Sequence, residues 1–297
     1  MILFFALLLD AALGEPEWLW NRLRHPAVII GDLIAWADRQ FNTGTKRRFK
    51  GALLCFALVT GGLTIGAIIQ TLGTLAQVIV VAILLAQRSL CDHVAQVGDA
   101  LRISLPSGRT AVARIVGRDT NDMNKPAVAR AAIESAAENL SDGIIAPTFW
   151  FMIGGLPAML AYKAVNTADS MIGYRTPRHQ EFGWASARFD DLLNYVPARL
   201  TALLIPLSAG HWPKWSALSN DARQHRSPNA GWPESAMAQT LDIALAGPRA
   251  YHGSQQDFPW VHPSGARDIG PRHVDQSVRL LWRVWVILLI LSLFFAG

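Results

Sequence analysis

Apolar positions in this chain gather into long uncharged runs rather than recurring at every second place. Gly51 to Gln87 holds no charged residue, which corresponds to roughly 55 Å of helix, too long for one ~30 Å crossing and suited to two. The pattern predicts a hairpin of spans over 51–70 and 74–90, with the break at Gln70–Thr74 and a tight turn at Gly73. Ile2–Leu13 is apolar apart from Asp10. No basic residue precedes it and no small-residue cleavage pattern follows, so it reads as an uncleaved first membrane segment, 2–13. Near the other end, Val284–Ala296 is apolar, with Arg279, Trp282, Arg283 and Trp285 around its start. Snorkelling arginines and headgroup-level tryptophans predict an anchor over 280–296. Two further runs, 143–162 and 192–210, are interrupted by Pro147, Gly154, Gly155 and Pro157, and by Pro197 and Pro206. Broken helices are tolerated at membrane depth where they line a cavity, and that is the expectation for both. If both cross, Lys163–Asp191 lies outside the cytoplasm; if both are re-entrant, it stays inside.

Two stretches, 91–142 and 211–277, are too polar for the bilayer. In the first, Leu101–Ile115 suggests short extended pieces around a Pro106-Ser107-Gly108 turn. Lys125–Leu140 reads as an Ala-rich helix with Pro126 in its first turn. In the second, Asp242–Ala246 is expected inside a short helix. The fold class expected is all-α: one polytopic integral membrane helical bundle over 1–297, with broken or re-entrant helices and polar cytoplasmic loops.

Composition agrees. Charged residues make up 16% and hydrophobic ones 51% of the 297, with a mean hydropathy of +0.23; about a quarter charged is usual for soluble domains. Disorder, coiled coil and collagen are excluded. Two cysteines, Cys55 and Cys91, exclude a disulfide scaffold. The net charge of +5 marks cytoplasmic loops rather than nucleic-acid binding. Lys46, Arg47, Arg48 and Lys50 precede the hairpin, and Arg88, Arg102, Arg109, Arg114 and Arg118 follow it, so both flanks are expected in the cytoplasm.

Candidate chemistry sits at the edges of the apolar runs. Arg130, Glu134 and Glu138 recur every fourth residue on one helix face, with Asn139 and Asp142 beyond. A solvated stripe of paired charges would look the same. This one, however, runs straight into an apolar broken helix, where carboxylates mark a site. Glu138, nearer that helix, is expected to accept a proton, and Glu134, one turn out, to orient Arg130 or Arg118. Lys163, Asn166, Asp169 and Ser170 follow, then Arg175 and Arg178, then Arg188, Asp190, Asp191 and Asn194. Interleaved acids and bases suit a Mg²⁺–phosphate site, with hard oxygens for the metal and cations for phosphate; ion pairing between helices is the competing reading. Glu138, Asp142, Asp169 and Asp190 are the expected metal ligands, with Lys163, Arg175 and Arg118 nearby. There is no G-x-x-x-x-G-K-[ST], no G-x-G-x-x-G, no H-E-x-x-H and no G-x-S-x-G.

Several segments together resemble one family. They are Leu9-Asp10 through Gly14-Glu15-Pro16, His25-Pro26 through Gly31, Ile115–Thr120, AAIESAAENLSDGIIAP at 131–147, YKAVNTADSMIGY at 162–174, FGWASARFDDLLNYVPARL at 182–200 and SPNAGWPESAM at 227–237. In this they are similar to the CobD/CbiB family of cobalamin biosynthesis, adenosylcobinamide-phosphate synthase, in order along nearly the whole chain. The resemblance implies a multi-pass inner-membrane ligase with its active site on the cytoplasmic side. Such an enzyme joins the propionate carboxylate of adenosylcobyric acid to the amine of aminopropanol phosphate or aminopropanol, with ATP and Mg²⁺ as cosubstrates. It implies Glu138, Asp169 and Lys163 as catalytic groups. Substrate binding would fall to Asp10, Glu15, His25, Arg118, Asp119, Glu134, Asn139, Asn166, Ser170, Arg175, Arg188, Asp191, Asn194 and Arg199. Partners implied are the two substrates, membrane lipid, and either a second copy or other membrane proteins of cobalamin assembly, with no nucleic acid. The competing class is a non-enzymatic membrane sensor or transporter of a corrinoid or phosphorylated ligand. A transporter would be expected to carry two similar halves, which the two broken runs do not obviously form.

Overall fold

A computed structural model describes residues 1–251 and 254–294. The chain runs through α1 (Ile2–Leu13), α2 (Glu17–Trp20), α3 (Pro26–Phe41), α4 (Arg47–Gln70), α5 (Thr74–Leu84), α6 (Gln87–Ile103), α7 (Leu105–Val112) and α8 (Lys125–Leu140). A π-helical turn, Ser141–Ile145, leads into α9 (Ala146–Ile172), α10 (Trp184–Leu193), α11 (Tyr195–Ser208), α12 (Trp215–Ala222) and α13 (Gly231–Leu241). Four short strands follow, β1 (Leu245–Ala246), β2 (Arg249–Tyr251), β3 (Ser254–Gln256) and β4 (Trp260–Val261), then α14 (Pro271–Phe294). β1 pairs antiparallel with β4, and β2 with β3. Among the described residues the protein is all-α apart from these pairs and a single bridge between Ile243 and Ala266. Among the described residues, four helical stretches are long and apolar enough to span a membrane: Arg47–Gln70, Thr74–Ile103, Lys125–Ile172 and Pro271–Phe294.

Two compact units emerge. The first comprises 1–86, 142–195 and 292–297, the second 87–141 and 196–291. In the first, α4 packs along α9, with α3, α5 and α10 against them and α1 on α5. Its core joins Ile34 of α3, Leu58 of α4, and Ala164, Ala168 and Ile172 of α9, closed by Phe182. The hairpin turn falls where the sequence predicts it: Gly73 has φ +97°, a conformation that L side chains avoid. α9 is broken as its Pro and Gly residues foretell. Gly154 and Gly155 leave helical geometry, Gly155 with φ +64°, just before Pro157.

In the second unit, α8 packs on α6, α7, α13 and β1, and α12 on α13. Lys125–Leu140 forms the expected helix, its start capped by Asn124, whose Oδ1 accepts the Ala127 N–H. Two expectations fail. The supposed extended pieces around Pro106-Ser107-Gly108 are helical. Ser104 caps α7 by accepting the Ser107 N–H, and Pro106 sits in the first turn, where its missing donor costs nothing. The supposed helix over Asp242–Ala246 is not one. α13 stops at Leu241, Asp242 turns left-handed, and Leu245–Ala246 pair with β4. The tail helix starts at Pro271, earlier than expected, because the polar turns before residue 280 continue it. Residues 295 and 296 of the expected anchor lie outside the described residues.

Candidate functional site

The first unit brings three helices' polar ends together. Asp142 lies in the π-helical turn; Tyr162, Lys163, Asn166 and Asp169 lie on successive turns of α9; Asp190 is on α10, with Asn194 just after it. Asn166 donates its amide to Asp190 at 3.2 Å and to Asp142 at 3.4 Å. Asn194 donates to Asp190 at 3.0 Å, and its Oδ1 accepts the Tyr162 hydroxyl at 2.9 Å. Asp190 is buried. Its burial, with the Asp142 and Asp169 carboxylates facing it, pushes its carboxyl well above the ordinary range despite the two amides. Lys163 is within electrostatic reach of Asp142 and Glu15. Three acids crowded at one place, bridged by amides and offering only hard oxygens, suit a Mg²⁺-type ion.

Beside them lies a cavity of about 530 Å³ lined by Arg48, Tyr174, Arg175, Trp184, Arg188 and Asp191, among others. Arg48 stacks on Trp184 with its guanidinium carbon 3.8 Å from the ring centroid. Burial raises the Asp191 carboxyl while Arg188 and Arg175 oppose it, and Asp191 in turn acts on Asp169, which ties the cavity to the acid cluster. Cations over aromatic faces are what a phosphorylated, ring-bearing ligand requires.

The second unit holds the other acids. Glu134 bridges: its Oε2 accepts Arg118 at 2.8 Å and its Oε1 accepts the Ala246 N–H at 2.7 Å. Arg130 donates to the Ala244 and Arg267 carbonyls and lies over Trp260. Glu138 meets Glu234 and His225, whose ligand atoms all lie within 4.8 Å of one another. So Asp142, Asp169 and Asp190 gather in one unit, while Glu138 and Arg118 belong to the other.

The remaining sequence-predicted residues have these places. Asp10 is buried in α1, and Glu15 is exposed just past it. His25 caps α3, its Nδ1 accepting the Ala27 N–H. Asp119, Asn139 and Ser170 are exposed; the last two hydrogen-bond back within their own helices. Arg199 donates to Asn229 and lies over Trp232. Sequence reasoning missed Arg48, Tyr162, Tyr174, Trp184, His225 and Glu234. Glu234 belongs to the quoted segment 227–237, and that was its only signal; His225 had none.

The family described as CobD/Cbib protein matches residues 3–281. Proteins named "Cobalamin biosynthesis protein CobD" from Brucella suis and Rhizobium meliloti are each 46% identical to this chain. Each alignment covers 95% of this chain and 92% of the relative. One of the same name from Rhodobacter capsulatus is 46% identical over 93% of this chain and 90% of its own. No solved structure matches.

Proposed function

Because the chain belongs to the CobD/CbiB family, we propose that it serves cobalamin biosynthesis as an amide ligase of the membrane. In this reading it joins the propionate carboxylate of adenosylcobyric acid to the amine of aminopropanol phosphate, or of aminopropanol, and yields adenosylcobinamide phosphate in the first case. The observation that carries the reading is the acid–amide cluster Asp142–Asn166–Asp190 with the Arg- and Trp-lined cavity beside it.

A free carboxylate does not react with an amine, so it must first be activated. ATP with Mg²⁺, when bound, supplies the phosphoryl group for an acyl phosphate. In this proposal Asp142, Asp169 and Asp190 hold the metal. Asn166 and Asn194 keep the Asp190 carboxylate aimed by donating to both of its oxygens. Arg175 and Arg188 take phosphate oxygens, and Trp184 offers a stacking face, which replaces the absent P-loop. Lys163 neutralises charge that develops as the phosphoryl group moves. Glu138 accepts a proton from the substrate ammonium, so that the amine lone pair can attack the acyl carbon. The C–N bond then forms, the carbon–oxygen bond to phosphate breaks, and inorganic phosphate leaves.

The test is purified protein in lipid nanodiscs with adenosylcobyric acid, aminopropanol phosphate and Mg-ATP, followed by mass. ADP and adenosylcobinamide phosphate are expected in equal amounts. Corrinoid binding with no product and no ATP consumption would instead favour a sensor or transporter.

A further inference from the structure

Five residues of the first unit close a ring of hydrogen bonds, and one of them, Tyr162, has no part in the chemistry described above. Tyr162 and Asn166 are four apart on α9, and Asp190 and Asn194 are four apart across the end of α10, so each pair shares a face. Between the pairs, Asn166 Nδ2 meets Asp190 Oδ1 at 3.2 Å, and the Tyr162 hydroxyl meets Asn194 Oδ1 at 2.9 Å. Asn194 Nδ2 returns to Asp190 Oδ2 at 3.0 Å. Asp142 completes the ring from the π-helical turn. Its Oδ2 is 3.4 Å from Asn166 Nδ2, and its backbone oxygen is 3.1 Å from the Tyr162 hydroxyl.

Donor counting fixes the direction of each link. An ionised carboxylate only accepts, so Asn194 turns its NH₂ to Asp190 and leaves its Oδ1 for Tyr162. That oxygen and the Asp142 carbonyl oxygen both only accept, so the one hydroxyl proton of Tyr162 serves the two of them. Tyr162 and Asn194 are each 1% exposed, so bulk solvent does not replace that donor.

We propose that Tyr162 is a positioning residue for the Asp142 and Asp190 carboxylates. Its hydroxyl locks the Asn194 amide in the orientation that holds Asp190, and it tethers the backbone of the turn that carries Asp142. This rests on the proposed reading in which those acids hold Mg²⁺, and it adds the group that sets their spacing. Hydrogen-bonded supports behind metal-binding carboxylates fix the direction of the ligand oxygens. Tyr162 acts through Asn194 and the turn, and no bond is made or broken at it.

Tyr162→Phe keeps the ring and removes the proton. Full-length protein in nanodiscs is titrated with Mn²⁺ alone, followed by the electron paramagnetic resonance of the free ion, and the site read is the one that Asp190→Asn removes. Tyr162→Phe should weaken that site on the order of tenfold to a hundredfold, the usual cost of losing a support behind a metal ligand. In the mass-based assay kcat should fall over the same range, with KM for aminopropanol phosphate nearly unchanged. Asn194→Ala cuts the same link from its other side and should lose at least as much. The double variant should bind Mn²⁺ far better than the product of the two single losses, because the two groups act as one unit. Losses that simply multiply overturn the link through Asn194. Unchanged Mn²⁺ affinity in a folded Tyr162→Phe protein overturns the positioning role; if that variant does not fold, unchanged affinity in Asn194→Ala overturns it. So does a wild-type protein with no Mn²⁺ site that Asp190→Asn removes. If wild type binds Mn²⁺ with the expected dependence on Tyr162 but makes no amide, the ligase reading has failed and the positioning role stands.

Discussion

Single side chains divide into those that meet chemistry and those that brace it. Asp169 sits between the acid cluster and the cavity, acted on by Asp191 and acting on Asp190. Asp169→Asn keeps the shape and removes the charge. Turnover in the mass-based assay should fall by about a hundredfold or more, and near-normal turnover would take it out of the site. Arg188 is a cavity wall with an exposed side chain, so Arg188→Ala should leave stability unchanged. A charge-assisted hydrogen bond to phosphate contributes roughly 1.5–3 kcal/mol. KM for ATP in Arg188→Ala should therefore rise on the order of tenfold to a hundredfold, read by steady-state kinetics. Glu138 and Glu134 looked like neighbours in one stripe, but only Glu134 is fully engaged as a brace, with Arg118 and the Ala246 N–H on its two oxygens. Glu134→Gln should therefore lower thermal stability, while Glu138→Gln should lower kcat. Sequence spacing placed both acids on one face; the partners that separate their roles are Arg118 and the Ala246 N–H for Glu134, and Glu234 and His225 for Glu138, three of them far along the chain.

Among elements, α4 and α9 pack with their backbones close together. A Cβ on Gly62 would lie 2.7 Å from the Ala161 Cα, and one on Gly66 2.4 Å from the Pro157 Cα. Glycines four apart on one helix face let two apolar helices meet backbone to backbone, which is how helices associate where the surrounding lipid is equally apolar. Gly62→Val should cost about 1–3 kcal/mol through overpacking, seen as a lower melting temperature in detergent. The end of α3 is tied to the stretch after α9 by Asp38. It accepts Arg178 Nη2 at 2.6 Å and Nε at 3.1 Å, and Asn42 at 2.8 Å. Burial opposes the Asp38 charge, yet the Arg178 and Asn42 hydrogen bonds prevail and hold its carboxyl below the usual value of 3.8. A depressed carboxyl stabilises the fold above its unfolded-state value and stops doing so as pH falls through the folded one. The tie should thus be intact at neutral pH and weaken only as pH drops below about 4. Protection of the amides at 174–183 against hydrogen exchange, taken relative to their intrinsic rates, should fall over that acid window in wild type. In Asp38→Asn that protection should be low and unchanged over the same window.

At the scale of the whole molecule, the basic residues around α4 set an expected orientation. Lys46 replaced by Cys should resist labelling from outside intact cells and label after permeabilisation, since the native Cys55 and Cys91 are buried and contribute little background. Ready labelling from outside would invert the expected topology. The long apolar helix over Arg47–Gln70, the hairpin turn at Gly73 and the break in α9 were legible in the sequence. Membrane insertion is governed by summed apolar length and by Gly and Pro punctuation, and both are local properties. The helix 125–140 was legible for the same reason, through its cap and its alanine content. The helical Leu105–Val112 and the strand at Leu245–Ala246 were not. Short polar segments carry weak propensities, and there Ser104 capping and pairing with Trp260–Val261 decide the outcome. Residue types at the site were also readable, because acids and amides at the edge of an apolar run are costly unless used. Which of them meet was not. Asn166 reaches across to Asp142 and Asp190, each 24 positions away along the chain, and Glu138 finds Glu234 and His225. Those encounters follow from how helices cross and where glycine lets them approach, and only the tertiary structure holds that information.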